Sequence, residues 1–122
     1  GFPTESEEMF ARSLDIVDEC GLTHLHVFPF SPRKGTPAAR MPQVDRAGIK
    51  ERAARLREAS DAAWARHLAS VAGVEEVLVE KPGFGRIARF TPVRFEGEVE
   101  SGAIVHMRLA GHDGRTLLAV AA

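Results

Sequence analysis

His24 and His26 stand one residue apart, so on any extended segment both imidazoles fall on one face, a geometry able to hold a metal ion. No third ligand stands at a matching spacing, and the competing reading is two rings packed against a helix or against the loop that follows. Further along, "KPGFGR" (81–86) has glycines that could bring backbone amides near a phosphate, but a hairpin turn explains the same residues. Around it Lys81, Arg86, Arg89, Arg94, Arg108 and Arg115 interleave with Phe84, Phe90 and Phe95. Cations for phosphates and flat rings for bases are what a nucleic-acid surface requires. Seven acidic residues share the segment, and an ordinary solvated barrel with phenylalanines in its core fits the composition equally well. His67 falls on an apolar helical stripe and reads as a packed residue, while His106 and His112 read as exposed or half-buried positions of the β segment.

The loop in "HVFPFSPRKGTPAARMP" (26–42) says more. Pro29, Pro32, Pro37 and Pro42 fix φ and discourage helix, and Gly35 permits a tight backbone approach. Arg33, Lys34 and Arg40 are then presented from a rigid frame, and Arg46, Lys50, Arg52, Arg55 and Arg57 follow in the next helix. Loops after parallel strands are where α/β folds build their sites. A linker that covers the bottom of a barrel is the alternative.

These side chains need elements to hold them. Thr4 with Glu7, or Ser6 with Glu7 and Glu8 in the first turn, can start a helix whose stripe is Phe10, Leu14 and Val17, flanked by Met9 and Ile16. Gly21 stops it, and "LTHLHVF" (22–28) then reads as a short strand. A second helix is expected from about Arg46 to Val71, with Ile49, Ala53, Leu56, Ala59 or Ser60, Ala63 or Trp64, His67, Leu68 and Val71 on one side. Beyond Gly73, short β-rich runs alternate with Pro-Gly, Glu-Gly, Ser-Gly and Asp-Gly turns. Five strands follow, at 74–80, 85–90, 92–95, 103–109 and 116–121, and they close most easily as a compact barrel of the oligonucleotide-binding type. The boundary between the two parts is placed near Gly73.

The chain has 122 residues and net charge −1, unevenly spread: residues 46–72 carry six basic and three acidic groups, whereas 1–45 carry four and seven. No run approaches the roughly 20 apolar residues of a membrane span, and no charged-then-apolar leader is visible, so the protein is expected in the cytoplasm, away from membranes. The single cysteine, Cys20, excludes an internal disulfide and cannot supply a zinc or iron–sulfur site alone; it is expected as a small buried side chain at a helix end. A chain that opens on glycine, directly at a turn, is expected to be part of something longer.

In order along the chain, "GFPTESEEMF", "LHVFPFSPRKGTPAARMP", "KERAARLR" and "VLVEKPGFGRIARFTPVRF" resemble the C-terminal portion of the radical S-adenosylmethionine methylthiotransferases that modify tRNA. The family's Gly-Phe-Pro-Gly-Glu-Thr turn is matched at Gly1, Phe2, Pro3 and Glu5, with Thr4 and Ser6 as departures; its loop pattern is matched at Ser31, Arg33, Gly35, Thr36 and Ala38. The wording is most like the branch that acts on threonylcarbamoyladenosine. The isopentenyladenosine branch typically differs just before the serine, and the branch that modifies a ribosomal protein typically has an acidic residue where Arg33 stands.

The resemblance implies an α/β fragment followed by a small all-β TRAM barrel. Residues 1–73 would be the last helix–strand–helix part of a partial TIM-type radical SAM barrel with its connecting helix, and residues 74–122 the RNA-binding TRAM unit. It implies a parent enzyme with S-adenosylmethionine and two 4Fe–4S clusters, whose cysteine ligands this chain lacks, so the chain alone is expected to be inactive and to bind no cluster. By position in the family, Gly1, Phe2, Pro3, Glu5, Val27, Phe28 and Pro29 would line the cofactor cavity. Ser31, Arg33, Lys34 and Arg40 would face substrate, and Lys81, Arg86, Arg89, Phe90 and Arg94 would grip tRNA. No catalytic residue and no metal ligand is assigned. Two other classes compete: a stand-alone RNA-binding module, and an interaction domain without RNA, which the near-neutral charge favours.

Overall fold

The computed structural model describes all 122 residues, Gly1 to Ala122, and the chain forms two compact units, Gly1–Trp64 and Ala65–Ala122. In the first, a turn closed by the Glu5 amide on the Phe2 carbonyl leads into helix α1 (Glu7–Glu19). Ser6, not Thr4, is the cap: its hydroxyl accepts from the Met9 amide at 3.2 Å, and Glu7 and Glu8 sit at the positive end of the dipole. Phe10 and Val17 are buried as the stripe requires, whereas Met9 and Ile16 are exposed. Gly21 ends the helix in the left-handed region (φ 59°), its amide and that of Leu22 closing on the Asp18 and Val17 carbonyls. Cys20 is at this end as expected, but it is exposed, because the cap turns away from the stripe.

Residues 22–28 do not form a strand. All five strands belong to the β-barrel of the second unit, so this extended segment has no ladder partner, and alternation without a neighbour cannot make a sheet. The loop after it is ordered by its own side chains. Thr36 Oγ1 donates to the Arg33 carbonyl at 2.8 Å and accepts from the Ala39 amide at 3.3 Å, setting a short 3-10 turn at Ala38–Arg40. Gln43 Nε2 then donates to the Ala38 and Met41 carbonyls. Helix α2 (Arg46–Ser70) starts at Asp45, whose carboxylate accepts from the amides of Ala47 and Gly48 at 3.0 Å, and it runs through the division between the units. Its expected stripe is the inward one: Ala53, Ala63 and Leu68 are buried, and Ile49, Leu56, Trp64 and His67 half-buried.

In the second unit β1 (Val74–Lys81), β2 (Phe84–Arg86), β3 (Pro92–Phe95), β4 (Ile104–His112) and β5 (Leu117–Ala121) close in the order β1-β2-β3-β5-β4. Every pairing is antiparallel except β3 with β5, which run parallel with Val93 opposite Leu117. The interior is filled by Val77, Val79, Val93, Phe95, Met107, Leu117 and Ala119 from β1, β3, β4 and β5, with Ile87 just after β2. β4 is long enough to serve two neighbours, and it bends at the register shift between Leu109 and Gly111. The expected strand at 85–90 stops at Arg86. Ile87 keeps its inward place, and residues 88–90 form a 3-10 turn instead.

Gly85 faces inward where β2 crosses β1, and a Cβ there would strike the Leu78 carbonyl oxygen and come within 2.7 Å of Val77 Cγ1. Gly85→Ala is expected to destabilise the barrel by about 1–3 kcal/mol through overpacking, read as a lower urea midpoint in circular dichroism. An unchanged midpoint would mean that β1 and β2 do not pack this closely.

Candidate functional site

The turn after β2 carries the most unusual backbone in the chain. Arg89 and Phe90 are the two non-glycine residues with positive φ, at 64° and 60°. Each such residue costs on the order of 1–2 kcal/mol, so the surroundings must hold the turn in place. Arg86 Nη1 donates to the Phe90 carbonyl at 2.9 Å, and the Ile87 amide donates to the Thr91 carbonyl at 3.0 Å. The Thr91 hydroxyl, fully buried, lies 2.8 Å from His67 Nε2, one donating to the other according to the ring's tautomer. Phe90 is thereby displayed with 82% of its surface exposed.

A groove of about 490 Å³ opens beside the ring, with Leu78 and Ile104 on its floor and Arg86, Arg89, Glu76, Glu80 and His106 around it. Of the five expected RNA-binding residues, the structure brings Arg86, Arg89 and Phe90 to this groove. Lys81 does not line it; its ammonium lies over the Phe84 ring at 5.3 Å, and the Arg86 guanidinium lies over the same ring at 5.8 Å. Arg94 stands elsewhere, 3.6 Å from the Asp113 carboxylate. Phe95 is buried, so the interleaved rings reduce on the surface to Phe90 and the half-buried Phe84. Arg86 is also tied to Glu80 at 2.9 Å, which makes it a brace for the turn as much as a free cation. Sequence reasoning missed Glu76, Leu78 and Ile104. The signal was present in "VLV": with Val77 and Val79 inward, Leu78 must point out.

Behind the turn, His67, Ser70, Glu75, Arg89 and Thr91 border a second hollow of about 320 Å³. Burial, and then the positive charge of Arg89, hold the His67 imidazole below the ordinary histidine value of 6.5, so it is neutral in the folded protein near neutrality.

In the first unit, Gly1, Glu5, Val27, Phe28 and Pro29, five of the seven residues expected around the cofactor, converge on one small pocket together with Phe10, Ile49, Arg52 and Leu56. Gly1 is held so close to α2 that a Cβ would lie 2.7 Å from Ile49 Cγ1. Phe2 packs edge-on against Phe30 instead, with centroids 5.3 Å apart. Arg52 Nη1 donates to both the carbonyl and the carboxylate of Glu5 at 2.9 Å, and Arg55 bonds Glu7 at 2.6 Å. The two guanidiniums also lie over the Phe10 ring, at 5.6 and 4.7 Å. Burial pushes the Glu5 carboxyl up, and the hydrogen bond from Arg52 acts in the opposite direction. Ser31, Arg33, Lys34 and Arg40 are exposed on the ordered loop and line none of this pocket. His24 meets Trp64 edge-on at 5.2 Å and His26 at 5.7 Å, which is the packing alternative.

Two cofactors implied by the resemblance can be tested against these residues. A 4Fe–4S cluster is held by cysteine thiolates, and the chain has one cysteine and no group of three or more His, Cys, Asp or Glu side chains able to hold a metal; the residues do not fit. The pocket at Gly1 and Glu5 is about 40 Å³. Ligand sites are commonly about 300–1,000 Å³, so these residues do not by themselves hold S-adenosylmethionine.

A helical unit followed by a small closed β-barrel, with an arginine–phenylalanine turn on the barrel, is the class that fold and site define. No protein-family model matches the chain. It is 39% identical over 115 residues to a threonylcarbamoyladenosine tRNA methylthiotransferase of Rickettsia prowazekii, covering 91% of this chain and 27% of that protein. It is 43% identical over 110 residues to a tRNA-2-methylthio-N(6)-dimethylallyladenosine synthase of Frankia casuarinae (88% and 20%), and 41% identical over 114 residues to a ribosomal protein methylthiotransferase of a Synechococcus species (87% and 23%). The chain belongs to this methylthiotransferase family, the one its motifs resemble, and spans between a fifth and about a quarter of the length of these curated relatives. No helix is long and apolar enough to cross a membrane.

Because the folded pKa of His67 lies below the unfolded one, its contribution to stability is complete above pH 6.5 and is lost as pH falls through the lower folded value. Urea unfolding of the unaltered chain should therefore weaken on acidification below pH 6.5 more steeply than that of His67→Gln. Parallel pH profiles would remove His67 as a source of acid sensitivity.

Proposed function

We propose that the chain is the C-terminal portion of a cytoplasmic tRNA methylthiotransferase, contributing tRNA binding and part of a cavity rim to an enzyme whose cluster ligands lie outside it. In this reading residues 1–73 complete a radical SAM barrel and 74–122 form a TRAM-like RNA-binding barrel. The observation that carries it is the Arg86–Thr91 turn, in a chain whose relatives at this identity include enzymes named for tRNA. A solvent-facing phenylalanine beside arginines is the pairing that grips single-stranded RNA: the ring stacks on a base and the guanidinium meets phosphate.

The substrate proposed is threonylcarbamoyladenosine, and its chemistry is the reason. A threonylcarbamoyl group carries a free carboxylate, whereas a dimethylallyl group is an uncharged hydrocarbon. Arg33 and Lys34 stand exposed on a loop that Thr36 and Gln43 hold rigid, so they can meet an anion without first being ordered. Gly1 to Glu5 and Val27 to Pro29 would supply one edge of the S-adenosylmethionine cavity, the remainder coming from the longer protein. Arg52 and Arg55 are committed to Glu5 and Glu7, which removes these two from the cations that α2 could offer to RNA.

Fluorescence anisotropy with tRNA tests the grip. Phe90→Ala should weaken binding by about 1–3 kcal/mol with little change in salt dependence, the loss expected of one stacked base. Arg89→Ala should reduce the salt slope by about one. Wild-type affinity in both variants would move the interface off this turn. For the substrate, an anticodon stem-loop bearing threonylcarbamoyladenosine should bind more tightly than one bearing the dimethylallyl group, and Arg33→Ala should erase the difference; equal binding by the unaltered chain would sink that assignment.

A further inference from the structure

The groove beside Phe90 has a polarity that phosphate binding does not explain. Leu78 and Ile104 are opposed across the β1–β4 ladder and both point outward, Ile104 with 65% of its surface exposed. On the same face of β1, two residues to either side of Leu78, stand Glu76 and Glu80. Glu80 is tied to Arg86 at 2.9 Å, and Glu76 lies 3.7 Å from His106 Nε2 on the opposed strand, with both side chains largely exposed. An apolar floor flanked by carboxylates would repel a sugar–phosphate backbone laid across it. The cation at the rim, Arg89, is on the side of the strained turn.

We infer that this groove is a base-reading pocket that takes one unstacked nucleobase with an exocyclic amino group from single-stranded RNA and disfavours uracil. The inference rests on the RNA-binding reading above and adds its selectivity. The backbone passes on the Arg89 side, and the base turns inward against Phe90 and lies on Leu78 and Ile104. Its edge then meets Glu76. An ionised carboxylate accepts hydrogen bonds and donates none. Cytosine, adenine and guanine offer it an amino group; uracil presents its single N–H between two carbonyl oxygens, which the carboxylate repels. Phe90 is held rigidly at a backbone cost, and a preformed flat surface is what stacking uses. A lysine-rich amphipathic peptide would also suit an acidic apolar groove and could set an ammonium over the Phe90 ring, but Arg86 and Arg89 beside that ring repel its lysines, whereas they attract a phosphate backbone.

The test is anisotropy of the full 122-residue chain with short labelled oligo(C) and oligo(U), whose bases are pyrimidines of the same ring size. The unaltered chain should bind oligo(C) about threefold to tenfold more tightly. Glu76→Gln, whose amide can donate to a uracil carbonyl, should bring the ratio to about one or below it while leaving the salt slope in place. Ile104→Ser, at an exposed position, should weaken oligo(C) binding without changing the circular dichroism spectrum. Equal binding of the two oligomers, or a ratio that Glu76→Gln leaves unchanged, overturns the pocket while the RNA-binding reading stands. No binding of either oligomer or of tRNA overturns both. Binding of a lysine- and leucine-rich peptide that Ile104→Ser abolishes, with no oligonucleotide bound, assigns the groove to a protein partner and likewise overturns the proposal.

Discussion

A sheet of five short strands leaves two edges of unpaired amides and carbonyls unless its ends meet, and here they meet through the parallel ladder of Val93–Phe95 with Leu117–Ala119. That ladder is the constraint on which the rest of the β unit depends. It fixes which face of each strand turns inward, and the interior is small enough that Gly85 must lack a side chain where β1 and β2 cross. The antiparallel pairing of β2 with β3 separately requires the chain to reverse within a few residues, and the reversal falls on Arg89 and Phe90. The strained turn thus joins an antiparallel pair, held by the buried Thr91 hydroxyl and by Arg86.

The first unit is held differently. It has no sheet, and its order comes from Phe10 buried beneath two arginines that are themselves neutralised by Glu5, Glu7 and Glu51. Arg52 is the central member, largely buried, with its guanidinium shared between the Glu5 carbonyl and two carboxylates. A half-buried cation with that many partners is costly to unpair, which keeps the Gly1–Glu5 turn against α2. The proline loop is fixed separately by the Thr36 hydroxyl and the Gln43 amide. Exposed cations on that loop and an exposed ring on the barrel turn are both carried by backbone that is already held in place.

The segments that order these two frames are among those that carry the resemblance to the methylthiotransferases, and the chain covers only a fraction of its relatives' length. In the barrel the strands close on themselves, no buried side-chain nitrogen or oxygen lacks a partner, and the groove lies on its own surface.

By itself the sequence determined both helices, the α2 stripe, the cap alternatives at Thr4 and Ser6, and a five-stranded barrel after Gly73, because hydrophobic period and turn chemistry are local properties written into neighbouring residues. It also singled out Arg86, Arg89 and Phe90, but a strand over 85–90 would set Arg89 on the opposite face, and only the turn brings all three to one groove. Tertiary structure decided the rest. "LTHLHVF" has the alternation of a strand, but pairing requires a neighbour that this unit does not contain. Phe90 leaves its expected strand because the barrel must turn there, and Phe95, of the same residue type, goes to the core. Glu76 and Ile104 share a groove through the β1–β4 register, a nonlocal contact that no period along the chain encodes.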